Sequence, residues 1–447
     1  MQVMAHHSGS VNNQSLRAKA ETLRKSGQFE EAAAEYAQIW PDGDTWTGWG
    51  YAYCLRKLGR LQEALEVARE VYRLKSDFRY GKAIYAWILY DLYIRHAETP
   101  NQTLLKAADA IVSLTNDEQA YEATSAFVIT VLGMAKLWAA YPRDLRVLEW
   151  LDKLDVDRLS IDPGKGTDQR GQERELASRK EQYYSLRTHS LERLERWQEC
   201  LEAATRALTN CGALHHDNDV WFARRVALAK QRLGHPEEAV TELERLVERK
   251  QTGFLHTDVA AAAWDAGDKD RTFKHALQSL RAEQDIGFKL EAARLMAEVL
   301  WQRGDAEDAR DHIRLCVAVR AEKGWKPADD LSSLASKWEV NGKQEDAATL
   351  LQRLRPLWDR WTEEISPRMS GVVTRILPNG HAGFIRGDNN VDFYFDSREW
   401  KERKSKPAVG NRVTFGTKAG FDRKRQRPTT VACEVRAASG QLSRVPR

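Results

Sequence analysis

Most of the chain places apolar residues at helical spacing, and six segments repeat one pattern. In each, a Gly is followed by a small residue five positions later and by an apolar or small residue nine positions later. Gly adopts the left-handed conformation that ends a helix, and a small residue lets an antiparallel partner approach closely. The pattern therefore predicts successive helix pairs. The segments are Gly27-Ala32-Tyr36, Gly59-Ala64-Ala68, Gly234-Ala239-Leu243, Gly267-Thr272-Ala276, Gly304-Ala309-Ile313 and Gly342-Ala347-Leu351.

A seventh segment, around Trp197, keeps the pattern but has Glu195 where the Gly belongs. Within the two groups, successive glycines are 32, then 33, 37 and 38 residues apart. These segments resemble the tetratricopeptide repeat, whose period is about 34 residues. The resemblance implies a mainly α chain, a tetratricopeptide-like α-solenoid whose concave face is lined by the first helix of each pair. The alternative is a set of unrelated amphipathic helices that share the spacing by chance.

Composition changes divide the chain into six parts. The segment 162–173 contains four Gly or Pro and no apolar residue, which is typical of a flexible loop. The expected parts are a disordered N-terminus (1–15), N-terminal helical repeats (16–161), this loop (162–173), C-terminal helical repeats (174–366), a small β-barrel (367–437) and a disordered tail (438–447).

Two tryptophans occupy equivalent positions in the C-terminal repeats. Counting back from the turn glycines places Trp264 and Trp301 at matching positions of first helices, with Arg294 and Glu298 within two turns of Trp301. These four residues are candidates for a groove that binds an unidentified protein partner. The alternative is that the tryptophans pack between repeats.

After Ser370 the hydrophobic period changes from helical to two, and turn sequences separate about five short strands. This number of strands in roughly 70 residues fits an oligonucleotide-binding barrel, a small five-stranded β-barrel. Side chains alternate between the faces of a strand, so Phe384 and Tyr394 are expected to face outward, and Phe393 and Phe395 inward.

The same region resembles the cold-shock domain over residues 369–436. The resemblance lies in Gly371-x-Val373, Gly383-Phe384-Ile385, Asp392-Phe393-Tyr394-Phe395 and Gly410-x-x-Val413-x-Phe415. It implies that outward aromatics on two neighbouring strands stack on the bases of single-stranded RNA or DNA. Phe384 and Tyr394 match two of the stacking positions. Ala382, Arg375 and Asp396 replace the family's Phe, Trp and His, which predicts weaker and less base-selective binding.

Charge is concentrated at the C-terminus. Residues 367–447 hold 17 Lys and Arg against 7 Asp and Glu, a formal charge of +10, whereas the preceding chain carries −6. A basic rim around an aromatic face favours a single-stranded polyanion. The candidate nucleic-acid-binding residues are Arg375, Phe384, Arg386, Tyr394, Lys418, Arg423, Lys424, Arg425 and Arg427.

The sequence offers little catalytic chemistry. The densest set of possible metal ligands is His215, His216, Asp217 and Asp219, but adjacent residues on a helix point about 100° apart and rarely share a metal. We expect no enzyme activity, metal or cofactor. The five cysteines form no CxxC pair, and no long apolar stretch predicts a membrane span, so a cytoplasmic protein is expected. The predicted function is an adaptor that joins a protein partner to single-stranded nucleic acid. The alternative is a pure protein scaffold whose barrel only docks.

Overall fold

The computed structural model describes residues 3–40, 43–117, 119–167, 171–340, 345–365, 368–378, 380–402, 406–422 and 427–438. The chain divides into two compact units, 1–242 and 243–447. The predicted fold class is confirmed: helices in tetratricopeptide-like pairs are followed by a small closed five-stranded β-barrel. Among the described helices, none is both long and apolar enough to cross a membrane.

The first unit is helical apart from one hairpin. Its elements are α1 (Val3–Lys25), α2 (Phe29–Ile39), α3 (Thr45–Lys57), α4 (Leu61–Leu74), α5 (Arg79–Leu89) with a π-helical turn (Tyr90–Ile94), α6 (Gln102–Thr115), α7 (Phe127–Ala139), α8 (Asp144–Leu151), β1 (Gly164–Thr167), β2 (Glu173–Leu176), α9 (Arg179–Arg193), α10 (Trp197–Asn210) and α11 (Asn218–Arg232). The unit boundary falls within α12 (Pro236–Arg249).

The described part of the second unit contains six more helices before the barrel. They are α13 (Gly253–Asp265), α14 (Lys269–Arg281), α15 (Leu290–Arg303), α16 (Ala306–Glu322), α17 (Asp329–Lys337) and α18 (Ala347–Ile365). Their core includes buried Leu295, Met296 and Ile313 and extends to Trp358 of α18.

The repeated glycines end helices as predicted. Five of the six have φ between 75° and 93°, and each lies in the turn between two paired helices: Gly27, Gly59, Gly234, Gly267 and Gly304. Gly342 lies outside the described residues. Glu195, which takes the Gly position in the seventh segment, also has a positive φ of 56°. The small residues that follow, such as Ala32 and Ala309, are fully buried where the helices meet.

The segment 162–173, expected to be a flexible loop, contributes to an antiparallel hairpin instead. Gly166 leaves room for Leu176: a Cβ on that glycine would lie 2.8 Å from Leu176 Cδ1. The segment is also anchored at its ends, because Lys180 N–H donates to Ser160 O at 3.1 Å. One core, from Ala52 to Phe222, includes residues on both sides of the hairpin. The hairpin therefore lies within one compact unit and does not separate two groups of helices.

At the N-terminus, α1 begins at Val3 and includes most of the segment 1–15, whose expected disorder stays a prediction. Adding a residue to an existing helix costs little, since each added residue gains a hydrogen bond. The packed part of α1, which reaches the buried Ala20, provides the nucleus from which the helix extends.

The barrel contains five strands in the closed order β3-β4-β5-β7-β6. The strands are β3 (Met369–Ile376), β4 (Ala382–Gly387), β5 (Asp392–Asp396), β6 (Arg412–Asp422) and β7 (Arg427–Ala437). All neighbours are antiparallel except β5 and β7. Phe393 and Phe395 point into the barrel core, as the alternation predicted. The outward residues of β4 and β5 therefore form an external face.

Candidate nucleic-acid interface

Three side chains form a row across neighbouring strands on the outside of the barrel. Phe384 of β4 is paired directly with Tyr394 of β5 and, on its other side, with Arg375 of β3. The register between β3 and β4 shifts between Val373 and Arg375. A β-bulge of this kind redirects a side chain, and here it brings Arg375 opposite Phe384.

The members of the row contact one another. The rings of Phe384 and Tyr394 meet edge to face, with centroids 5.7 Å apart and an interplanar angle of 73°. The Arg375 guanidinium lies over the Phe384 ring, 4.5 Å from its centroid. Cation–π contacts at exposed sites contribute about 0.5–1 kcal/mol, so the row is held together before any ligand arrives.

Exposure differs within the row. Tyr394 is 39% exposed, whereas Phe384 is half-buried beneath Arg375. Arg375 is itself exposed. A planar ligand therefore meets Tyr394 and the Arg375 guanidinium first, and Phe384 supports both from between them.

Ion pairs surround the row. Arg386 donates two hydrogen bonds to Asp392, at 2.6 and 2.8 Å. These bonds are the main cause of the lowered pKa of the Asp392 carboxyl. Arg386, predicted to contact phosphate, is therefore already paired with a carboxylate.

Asp396 is also paired. Arg398 donates to its carboxylate at 2.9 and 3.0 Å, and this bonding lowers the pKa of Asp396 to about 2. The Arg398 guanidinium therefore offsets the repulsion that the Asp396 carboxylate would otherwise exert on a phosphate. Both pairs are largely exposed to solvent, which weakens their attraction.

The remaining basic candidates are only partly described. Lys418 belongs to β6 and Arg427 to β7, which pair along most of their length. The side chains of these two residues lie outside the described part of the chain, as do Arg423, Lys424 and Arg425, which stand between the two strands in sequence.

The four candidate residues for a protein-binding groove all contact other residues of the second unit. Trp301 stacks on Trp338, with ring centroids 4.6 Å apart and planes inclined by 7°. Trp264 is half-buried against the same helical core. Arg294 bonds to Glu291 and Glu298, and burial raises the pKa of Glu298. These contacts match the packing alternative.

The His215 region has a structural explanation. Glu181 of α9 is fully buried, and its carboxylate accepts hydrogen bonds from the His215 backbone N–H, the His215 ring and Asn218, all at 2.7–2.8 Å. Burial opposes the charge of Glu181, but these bonds lower its pKa below the usual value. Among the described residues, no three His, Cys, Asp or Glu side chains are grouped closely enough to hold a metal ion.

Two features escaped the sequence analysis. The pairing of Arg386 with Asp392 could have been predicted from the sequence, because a short turn separates these residues and places them opposite each other in a hairpin. The second feature is a polar cavity around His256 and His275 of α13 and α14. No short motif marks it, because its lining residues are spread over residues 244–283 and Thr362.

Residues 220–356 match the model of a domain of unknown function (DUF7017). No curated protein matches the chain significantly. Among solved structures, YrrB, a TPR protein with an unusual peptide-binding site, is 16% identical, with a TM-score of 0.34, covering 52% of this chain and 99% of its own. MamA from MSR-1 is 13% identical, with a TM-score of 0.32 and coverages of 44% and 98%. Human IFIT1, solved as a dimer with m7Gppp-AAAA, is 12% identical, with a TM-score of 0.34 and coverages of 77% and 73%.

Proposed function

We propose that this protein is a non-enzymatic adaptor. Its barrel binds single-stranded RNA or DNA, and its helical repeats bind a protein partner. The observation that carries the first part is the row of Arg375, Phe384 and Tyr394 on the outer face of the barrel. Aromatic rings on one face, spaced by adjacent strands, form a surface on which successive bases stack.

The position of the row within the barrel supports this proposal. β4 and β5 are the second and third strands of the barrel, and in oligonucleotide-binding barrels these strands carry the binding face. Stacking on an aromatic ring contributes about 1–3 kcal/mol per base. The Arg375 guanidinium extends the surface, since its planar group also stacks on bases. A short platform of this kind holds bases with little discrimination among them.

Charge supports the same ligand. The 81 residues from 367 onward carry +10, which attracts phosphate and makes binding dependent on salt. The expected mode combines weak base stacking with a larger electrostatic contribution. Such binding suits an adaptor that holds nucleic acid of varied sequence.

The helical pairs supply the second part of the proposal, a scaffold for an unidentified protein partner. Trp264, Arg294, Glu298 and Trp301 are the first candidates to test, although each also makes contacts within the repeats. We also propose a cytoplasmic setting. None of the five cysteines, all in the described part of the chain, forms a disulfide.

A second candidate function is a protein scaffold whose barrel does not bind nucleic acid. The ion pairs of Arg386 and Arg398 favour it, because they engage two cations beside the row. A fluorescence-anisotropy titration of the full chain with a single-stranded 15-mer and its duplex separates the two functions.

The adaptor predicts tighter binding of the single strand, because only unpaired bases expose faces for stacking. It also predicts that affinity falls as salt rises, with a slope proportional to the number of phosphates contacted. Absence of binding at low salt, or equal affinity for the two forms, contradicts the adaptor and favours the scaffold.

A further inference from the structure

A cavity of about 670 Å³ lies in the second unit between α12, α13 and α14. Its lining includes the α12–α13 turn, residues 281–283 and Thr362 of α18. The cavity is far in sequence from the barrel strands, and its chemistry is independent of nucleic-acid binding by the barrel.

Three of the residues that line this cavity each carry a buried polar atom without a hydrogen-bond partner: Thr252 Oγ1, His275 Nε2 and Gln278 Oε1. An unsatisfied buried polar atom costs about 1–3 kcal/mol, and such atoms are rare in folded proteins. Ten are found among the described residues, so three of them share one cavity. This concentration indicates that something outside the chain satisfies them.

The N-terminus of α13 also leaves the Thr252 hydroxyl without a partner. Thr252 occupies the position before the first turn of α13, where a Thr hydroxyl normally accepts a backbone N–H of the helix. Here the hydroxyl makes no such bond. Its oxygen is therefore left for a group in the cavity.

The two histidines determine what His275 offers. His256 Nδ1 and His275 Nδ1 lie 3.0 Å apart, and both side chains are more than nine-tenths buried. Burial lowers the pKa of His256 to about 4 and that of His275 to about 3, so both rings are neutral at pH 7. One of the two rings donates its Nδ1–H to the other, so the Nε2 of His275 is an acceptor in one tautomer and a donor in the other.

Carboxylates outnumber cations in the lining of this cavity. Glu244 Oε1 lies 3.5 Å from His275 Nε2, and the exposed Glu248 and Glu283 line the same cavity. The lining cations are Lys274, which is exposed, and Arg281, whose guanidinium lies 3.2 Å from Asp359.

Arg271 also approaches Glu244, at 3.7 Å, but it is half exposed. Thr252 Oγ1 and Gln278 Oε1 accept hydrogen bonds, and the cavity lining carries three carboxylates against two cations. Both properties select a cationic donor.

We propose that this cavity binds a primary ammonium group, from either a small amine or the lysine side chain of a protein. A primary ammonium carries three N–H donors, which suit the hydroxyl, amide and carboxylate oxygens of the residues that line this cavity. The nearby carboxylates balance its charge, which a buried cation requires.

Isothermal titration calorimetry of the full chain at pH 7 tests the ammonium group directly. The probe is n-butylammonium, compared with 1-butanol, butyrate and n-butyltrimethylammonium. We expect one n-butylammonium per chain and at least tenfold weaker binding of the others, which lack the charge, reverse it or lack N–H donors. Equal binding of butanol, butyrate or the trimethylated ion would overturn the proposal.

Two variants test the acceptors without removing the buried histidines. Gln278→Met and Thr252→Val each remove one acceptor while keeping similar size. A hydrogen bond to a charged group contributes about 1.5–3 kcal/mol, so each variant is expected to weaken n-butylammonium binding about ten- to hundredfold. Each should also raise the Tm of the ligand-free protein, because an unsatisfied buried atom is lost. Unchanged affinity, or a lowered Tm, contradicts the assignment.

A peptide with a single central lysine, and the same peptide with Nε-acetyl-lysine, distinguish the two sources. Binding that acetylation abolishes identifies a protein lysine as the source. Binding of n-butylammonium but not of the lysine peptide identifies a free amine. Both results support the ammonium site, whereas equal binding of the acetylated peptide overturns it.

Discussion

Glu195 occupies a backbone conformation that the repeat pattern assigns to glycine. Its φ of 56° lies in the left-handed region, where a side chain costs about 1–2 kcal/mol. The pattern therefore predicts the conformation of a residue even where the residue type departs from it. The turn geometry is imposed by the packing of α9 against α10.

Replacing Glu195 with Gly is expected to stabilise the protein by about 0.5–1 kcal/mol. The relief of left-handed strain exceeds the extra chain entropy that glycine gains in the unfolded state. Gly59→Ala is the matched reverse change: Gly59 has φ 75°, and an added Cβ would meet no atom within 4 Å. It should destabilise through the backbone alone. Urea unfolding midpoints that move in the same direction for both variants would contradict this explanation.

His312 fixes a second residue-scale property, the response to acid. Its ring is fully buried: Nδ1–H donates to Asp308 O at 2.7 Å, and Nε2 accepts from the Trp358 indole at 2.9 Å. Burial lowers the pKa of His312 to about 4. In the unfolded chain the pKa is about 6.5, so the unfolded state binds the proton more readily below that pH.

The contribution of His312 to stability is therefore complete above pH 6.5 and is lost as the pH falls toward 4. Between pH 7.5 and 4.5 we expect a loss of about 2–3 kcal/mol from this residue. Urea unfolding of the wild type and of His312→Gln at both pH values measures it. The variant should lose less stability on acidification by about this amount, and an identical pH dependence would contradict the assignment.

At the scale of elements, the register of the β4–β5 hairpin produces an ion pair that counting basic residues does not reveal. Arg386 lies near the end of β4, and Asp392 is the first residue of β5. The tight turn between the two strands therefore makes these residues direct neighbours. Counting charges treats Arg386 as available to phosphate, whereas the hairpin places a carboxylate on it. The register follows from alternation around buried Ile385 and Phe393, and so it was accessible from the sequence.

Asp392→Asn removes that carboxylate and leaves Arg386 available beside Phe384. We expect tighter binding of single-stranded oligonucleotide and a salt slope steeper by about 0.7, the value for one added phosphate contact. Glu402→Gln, on the loop after β5, is the control for charge alone. Titration of both variants at several salt concentrations decides, and an equal response of the two would show that Arg386 does not contact the ligand.

A substitution at Trp301 distinguishes a packing role from a protein-binding role for this residue. Its ring stacks on buried Trp338 and also faces Arg310, 5.5 Å from the ring centroid. If packing is its role, Trp301→Ala should destabilise the protein by about 3 kcal/mol or more. Trp325→Ala, at a site that is 43% exposed, should cost much less. Equal, small losses in urea unfolding would return Trp301 to the candidate protein-binding surface.

At the scale of the whole molecule, periodicity predicted most of the architecture. Glycine spacing located the helix turns, and the change to a period of two located the barrel and its inward Phe393 and Phe395. The boundary between compact units was not predictable in this way. It falls within α12, while the glycine-rich segment 162–173 lies inside one unit. Composition reports local chain flexibility, whereas compactness depends on which helices share a core.

The polar cavity could not be predicted from the sequence, for a related reason. Thr252, His275 and Gln278 become unusual only when packing buries their polar atoms without partners. Each is ordinary in its own helix or turn. By contrast, the outward row on the barrel follows from strand alternation and a family resemblance, except for the bulge that brings Arg375 over Phe384.

The most direct test of the account is the affinity of the full chain for a single-stranded 15-mer before and after Tyr394→Ala. Tyr394 is the more exposed ring of the row, and loss of one base stack should weaken binding about five- to 150-fold. Tyr72→Ala, at an exposed tyrosine of the first unit, should leave affinity unchanged. If Tyr394→Ala binds as tightly as the wild type, the barrel does not hold nucleic acid on this face.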